Sequence, residues 1–156
     1  MKLLATLMLA ALALVSAPVL AAEPVYIIRH LEKAAGTDPA LTPEGAARAE
    51  QLADMLGDKG IKAVFATATR RAQQTAAPLA TRLGVPVTSY KPDQVQALVD
   101  AVAAAGGPVL IVGHSNTVPD LVAAFGGAKP ASIDEGSFGT IFLVGVDSKV
   151  TTFELD

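Results

Sequence analysis

Short apolar runs alternate along this chain with longer stretches in which apolar residues return at helical spacing. Val25–Arg29, apolar up to its last residue, and Val109–Val112 carry the pattern of strands buried on both faces. Ala63–Ala66 is a shorter run of the same kind, and Val85–Ser89 is predicted as an edge strand because it contains Pro86. Thr140–Val146 and Val150–Leu155 read as a terminal hairpin around Asp147-Ser148-Lys149. Between these runs lie four predicted helices. The first opens on Thr42 as N-cap, Pro43 and Glu44, buries Ala49, Leu52, Ala53 and Leu56, and stops at Gly57 or Gly60. The second spans about Arg71 to Leu83, disturbed by Pro78 and ended by Gly84. The third starts at Pro92-Asp93, buries Val95, Leu98, Val99 and Val102, and breaks at Gly106-Gly107-Pro108. A short fourth runs from Asn116 to Phe125. This alternation predicts an α/β three-layer sandwich, with a mainly parallel central sheet of about five to six strands and helices on both faces. There are no repeats and no long linker.

The first residues do not belong to that pattern. Met1-Lys2 is followed by an apolar run from Leu3 to Val15, a break at Ser16-Ala17-Pro18 and the small residues Ala21-Ala22. This is the layout of a secretory signal peptide over residues 1–22, with cleavage expected after Ala21 or Ala22. An apolar core of about 13 residues is short for a membrane span of roughly 20. The expectation is therefore an exported chain, periplasmic or secreted, with no stable membrane association after cleavage. Residues 23–156 then form a single domain of about 134 residues. The formal net charge is −3 with 4% aromatic residues, which disfavours a nucleic-acid partner, since phosphate backbones demand a basic face. With no cysteine, disulfides and thiolate metal sites are excluded. Much of the 51% hydrophobic fraction is alanine, so the helices should be thin and packed closely on the sheet.

Both histidines of the chain fall directly after a predicted buried strand, His30 beside Arg29 and His114 beside Gly113. Ligands of open α/β sheets bind outside the carboxyl ends of strands. An arginine there offers fixed N–H forks that match phosphate oxygens, and a neutral histidine nitrogen can attack phosphorus. Arg70 and Arg71 open the second predicted helix, where positive charge opposes the helix dipole; an anion bound at that point would relieve the conflict. Gly113-His114-Ser115-Asn116 allows close backbone approach, with Ser115 or Asn116 also able to cap the helix that follows.

Taken in order, Arg29-His30-x-Glu32, Arg71-Ala72-x-Gln74-Thr75-Ala76 and Gly113-His114-Ser115 resemble the histidine phosphatase superfamily, the phosphoglycerate mutase-like group in its short-chain phosphatase branch. The resemblance spans about Val25 to Phe125. It implies a metal-independent phosphomonoester hydrolase acting on a small phosphorylated substrate. His30 would be the nucleophile, with Arg29, Arg71 and His114 around the phosphoryl group. Thr67 falls where the family often has serine, and Ser115 joins the substrate-binding set. No cofactor or metal is expected, because the arginines and His114 take a cation's place. The Arg-His-x-Glu-Lys variant behind a signal peptide is similar to a group of exported bacterial phosphatases.

Two positions depart from the family. Leu31 replaces a small residue, so the pocket floor should be tighter or more apolar. The usual source of the general acid is missing, since Thr75 to Lys91 contains no Asp or Glu. Glu32 ranks first as the acid, with an ion pair to Lys33 or Arg70 as its alternative role. Glu135 ranks second and Asp93, also readable as a helix-start residue, third. The short segment between Arg71 and His114 leaves little room for a large lid, so the pocket should be open. Two alternative functions stay in view: a phosphohistidine-protein phosphatase, and a catalytically weak phosphate- or phosphosugar-binding module.

Overall fold

The computed structural model describes residues 22–156. The predicted signal peptide, apart from its last residue, lies outside the described residues. Ten elements follow in the order β1 (Val25–Arg29), α1 (Pro43–Leu56), β2 (Ala63–Thr67), α2 (Arg70–Leu83), β3 (Val87–Tyr90), α3 (Val95–Ala105), β4 (Val109–Gly113), α4 (Val118–Ala124), β5 (Thr140–Val144) and β6 (Val150–Glu154). The sheet has six strands in the order β3-β2-β4-β1-β5-β6. β1 through β4 pair in parallel, while β5 joins β1 and β6 joins β5 antiparallel. The α/β sandwich expected from the apolar pattern is therefore the observed fold.

Strand alternation divides the core into two layers. Ile28, Val64, Ala66, Leu110 and Val112 face α1 and α2, whereas Val25, Ile27, Phe65, Val109 and Ile111 face α3 and α4. The first layer is built from alanines: Ala49 and Ala53 on α1 and Ala72, Ala76 and Ala80 on α2 are all buried. Small side chains let these helices lie close to each other and to the sheet. Leu31 belongs to this layer and is fully buried. It packs beneath the sheet edge and does not line the pocket, which corrects the expected apolar floor.

Element ends moved where local hydrogen bonds intervene. Gly84, in the left-handed conformation, closes α2 with Val85 N–H on Ala80 O, so β3 starts two residues later than its apolar run and extends to Tyr90. α2 runs through Pro78 unbroken, since one proline removes a single helical rung. α3 opens at Val95 with Gln94 as N-cap, because Gln94 N–H turns back to Lys91 O; Pro92-Asp93 lies in the preceding turn and does not start the helix. α4 opens at Val118, after a turn in which His114 O accepts from Thr117 and Val118 N–H. Neither Ser115 nor Asn116 caps it. Among the described residues no helix is long and apolar enough to cross a membrane.

Candidate active site

The parallel pairing of β1 with β4 aligns Arg29 with Gly113, so the two histidines emerge side by side at the carboxyl edge of neighbouring central strands. His30 N–H donates to Gly113 O at 2.9 Å and continues the ladder for one residue. The rings stand edge to face with centroids 5.3 Å apart. Gly113 is required at the end of β4: a Cβ there would meet Thr117 Oγ1 at 2.9 Å and the Tyr90 hydroxyl at 3.2 Å.

His30 is buried, and its Nδ1 lies 2.8 Å from Leu31 O. A carbonyl only accepts, so the proton sits on Nδ1 and Nε2 keeps a lone pair. Burial pushes the His30 pKa down to about 4; the Leu31 carbonyl opposes this, while His114, Arg71 and Arg29 add to it. The ring is neutral at pH 7. The peptide that holds it is fixed by Thr75 on α2, whose hydroxyl accepts Leu31 N–H at 3.0 Å and donates to Arg71 O at 2.8 Å.

His114 lines the same cleft. Its Nε2 is 2.8 Å from Thr67 Oγ1, and its Nδ1 lies 3.5 Å from an Arg71 Nη, a long contact. A guanidinium N–H only donates, so Nδ1 is the acceptor in that contact, and the His114 proton sits on Nε2, which donates to Thr67 Oγ1. Burial first, then Arg71 and Arg29, lower the pKa of His114 as well. Thr67 is buried and its hydroxyl is also 3.2 Å from Thr69 Oγ1, so it orients His114 from behind. Thr67, expected to bind substrate, is not among the residues that line the cleft.

Arg29 stands deeper. One Nη donates to Asp134 O and Ser137 O at 2.9 and 2.8 Å, the other reaches Glu135 Oε2 at 3.2 Å, and Cζ lies 4.1 Å over the Phe138 ring. Arg29 thus folds the loop between α4 and β5 over the site. The Nε groups of both Arg29 and Arg71 are buried without a partner among the described residues. Two orphaned guanidinium donors beside a neutral imidazole suit an anion that supplies acceptors to both.

The cleft holds about 400 Å³ and is lined by His30, Lys33, Thr69, Arg71, His114, Ser115, Asn116 and Glu135. Glu135 is the acid that reaches it. Its Oε1 accepts from Ser115 Oγ at 2.6 Å, and its pKa is lowered by that bond and by Arg29. Glu32, ranked first from the sequence, does not line the cleft. Its carboxylate pairs with Arg48 on α1, not with Lys33 or Arg70. Asp93 is exposed in the turn before α3 and lines no part of the cleft. Sequence reasoning missed Phe138, Asp38 and Arg48, which act through contacts that no local pattern signals. A larger groove of about 640 Å³ lies between α1 and α2, but it contains neither histidine.

Residues 25–91 match the family model of the histidine phosphatase superfamily (branch 1), which bears out the resemblance drawn from the motifs. Among solved structures, the chain is similar to the protein histidine phosphatase SixA complexed with tungstate, at 23% identity and a TM-score of 0.63 over 83% of this chain and 94% of that one. It is also similar to YhfR of Bacillus stearothermophilus, at 18% identity and a TM-score of 0.63 over 85% and 96% of the two chains. The alpha-ribazole phosphatase of Shigella flexneri aligns at 17% identity and a TM-score of 0.61 over 85% and 95%. At these identities the likeness shows a shared fold. No curated protein matches the sequence.

Proposed function

We propose that this protein is a phosphatase of the histidine phosphatase type, hydrolysing phosphomonoesters through a phosphohistidine on His30. The observation that carries this reading is the state of His30: neutral, with Nδ1 tied to Leu31 O, Nε2 free, and two arginines with unpartnered donors beside it. Nε2 attacks phosphorus, a P–N bond forms and the P–O bond to the leaving group breaks. Arg71 and Arg29 hold the phosphoryl oxygens, with His114 beside Arg71, so that positioning and charge supply most of the rate. Glu135 delivers a proton to the leaving oxygen. Water then attacks the phosphohistidine, its proton passes to Glu135, and phosphate and free His30 result. The guanidinium groups provide the positive charge, so the reaction is metal-independent. We place the mature protein outside the cytoplasm, on the leader read in residues 1–22.

Hydrolysis of a chromogenic aryl phosphate tests this. Turnover should persist in chelator, disappear in His30→Ala, and leave an acid-labile phosphoryl group on the rapidly quenched wild-type enzyme. A His30→Ala variant that retains turnover sinks the proposal.

One observation favours a second substrate class. In the free site Ser115 and Arg29 hold Glu135 below the usual carboxylate range, which makes it a weak proton donor at neutral pH. Leaving groups that need little protonation, including those of phosphoramidates such as phosphohistidine, suit such a site. A phosphoramidate-to-alkyl-phosphate ratio of kcat/KM near unity would argue against that preference.

A further inference from the structure

Asp38 lies in the loop between His30 and α1, and its carboxylate serves both arginines at the start of α2. Oδ1 accepts the Arg70 N–H at 2.8 Å and lies 3.7 Å from an Arg71 Nη. Thr69, the N-cap residue of α2, makes no side-chain cap bond, and the first turn contains no acid. Asp38 therefore supplies from outside the helix the anion that the dipole and the two arginines require there. The anion expected at this helix start is thus supplied at least in part by the protein itself.

The loop is built to hold that carboxylate. Ala34 N–H donates to Ala40 O, Lys33 and Leu41 form a β-bridge, and Leu41 N–H donates to Gln74 Oε1 at 2.8 Å. Gly36 turns the chain at φ +115°, and Asp38 itself has φ 47°, a region that aspartate tolerates better than most residues. Arg71, by contrast, is held only by long contacts, 3.7 Å to Asp38 and 3.5 Å to His114, and its Nε has no partner. The guanidinium is oriented but not saturated.

We infer that Asp38 is a positioning residue that also competes with the phosphoryl group for Arg71. It fixes the start of α2, and with it the guanidinium. Its negative charge beside the pocket then weakens retention of the product anion, so phosphate leaves readily. This rests on the phosphatase reading above. The Asp38 side chain is 55% exposed, so water screens the repulsion and the effect is modest.

The experiment is titration of the purified protein with inorganic phosphate at low ionic strength, by calorimetry, in the parent and in Asp38→Asn, Asp38→Ser and Asp38→Ala. The asparagine amide oxygen still accepts from Arg70 N–H but carries no charge. Asp38→Asn should bind phosphate about 3- to 10-fold more tightly than the parent, and the gap should narrow at about 0.5 M salt. The product-inhibition constant of phosphate should move in parallel. Asp38→Ala loses the cap as well, so its kcat should fall and be restored by Asn. Serine, a short neutral acceptor, repeats the affinity test should the asparagine variant fold poorly. Phosphate binding to Asp38→Asn and Asp38→Ser that is no tighter than in the parent overturns the inference. If that happens while His30→Ala still abolishes turnover, the phosphatase reading survives alone. If neither the parent nor Asp38→Asn nor Asp38→Ser binds phosphate, the inference is overturned, and turnover in His30→Ala decides the phosphatase reading separately.

Discussion

The proposed mechanism divides the chemistry between His30 and Glu135, and their environments move both pKa values downward. An imidazole attacks only when neutral, which the proposed role of His30 requires. With its pKa lowered to about 4, kcat/KM on an aryl phosphate should lose its acid limb near pH 4, not near the ordinary histidine value. A limb centred near 6.5, once substrate ionisation is accounted for, would mean that the ring is not desolvated in solution. A carboxyl group donates only when protonated, so as the proposed acid Glu135, with its pKa lowered, has little of the donor form at neutral pH. The rate on an alkyl phosphate relative to an aryl phosphate should therefore rise as pH falls toward the carboxylate range, because His30 titration cancels in the ratio. Glu135→Gln should flatten this ratio and reduce alkyl phosphate turnover by about 10²- to 10³-fold, with a much smaller loss on the aryl substrate. Equal losses on both substrates would give Glu135 a binding role only.

At the scale of elements, the site depends on how α1 and α2 grip the loop that leaves β1. Gly45, in the first turn of α1, sits against the Glu32 carbonyl, where a Cβ would come within 2.3 Å. The same carbonyl accepts Thr42 N–H at 2.9 Å. From the other side, Gln74 holds Leu41 and Thr75 holds Leu31. The run Arg71-Ala72-Gln73-Gln74-Thr75-Ala76 thus has a physical reading: Arg71 faces the cleft, the alanines pack on the sheet, and Gln74 and Thr75 secure the loop that follows His30. Thr75→Val keeps the shape but leaves the buried Leu31 N–H without its acceptor. It should cost about 1–3 kcal/mol of stability in urea unfolding. Misplacing His30 should also lower kcat by about tenfold or more. A variant with the lost stability but an unchanged kcat would show that Thr75 braces the fold and not the imidazole.

For the whole molecule, burying neutral imidazoles links stability to pH. The folded pKa of His30 lies below its unfolded value of about 6.5, so its contribution is fully present above pH 6.5 and is lost as pH falls toward about 4. The shift corresponds to about 3 kcal/mol, and lowering of the His114 pKa acts in the same direction. Urea midpoints at pH 7 and pH 4.5 should show the fall, and His30→Gln should remove much of it. An equally steep fall in that variant would assign the effect to other groups.

The strands, the helices and the placement of both histidines were legible because they depend on patterns within a few residues: apolar runs, helical spacing, and Gly and Pro punctuation. His30 and His114 follow strands whose apolar runs are unmistakable. Strand order was not legible, although it is what aligns Arg29 with Gly113 and brings the histidines together. Nor was the choice of acid. Glu32, two residues from His30, pairs with Arg48, while Glu135 reaches the cleft across more than a hundred positions because Arg29 and Ser115 hold it there. The third unread feature was the anion at the start of α2, contributed by Asp38 from a distant loop. Local pattern by itself determined that His30 and His114 stand at the carboxyl ends of buried strands. Only the tertiary structure decided which carboxylates meet which arginines, because charged side chains choose partners by proximity in space, and spacing along the chain does not encode it.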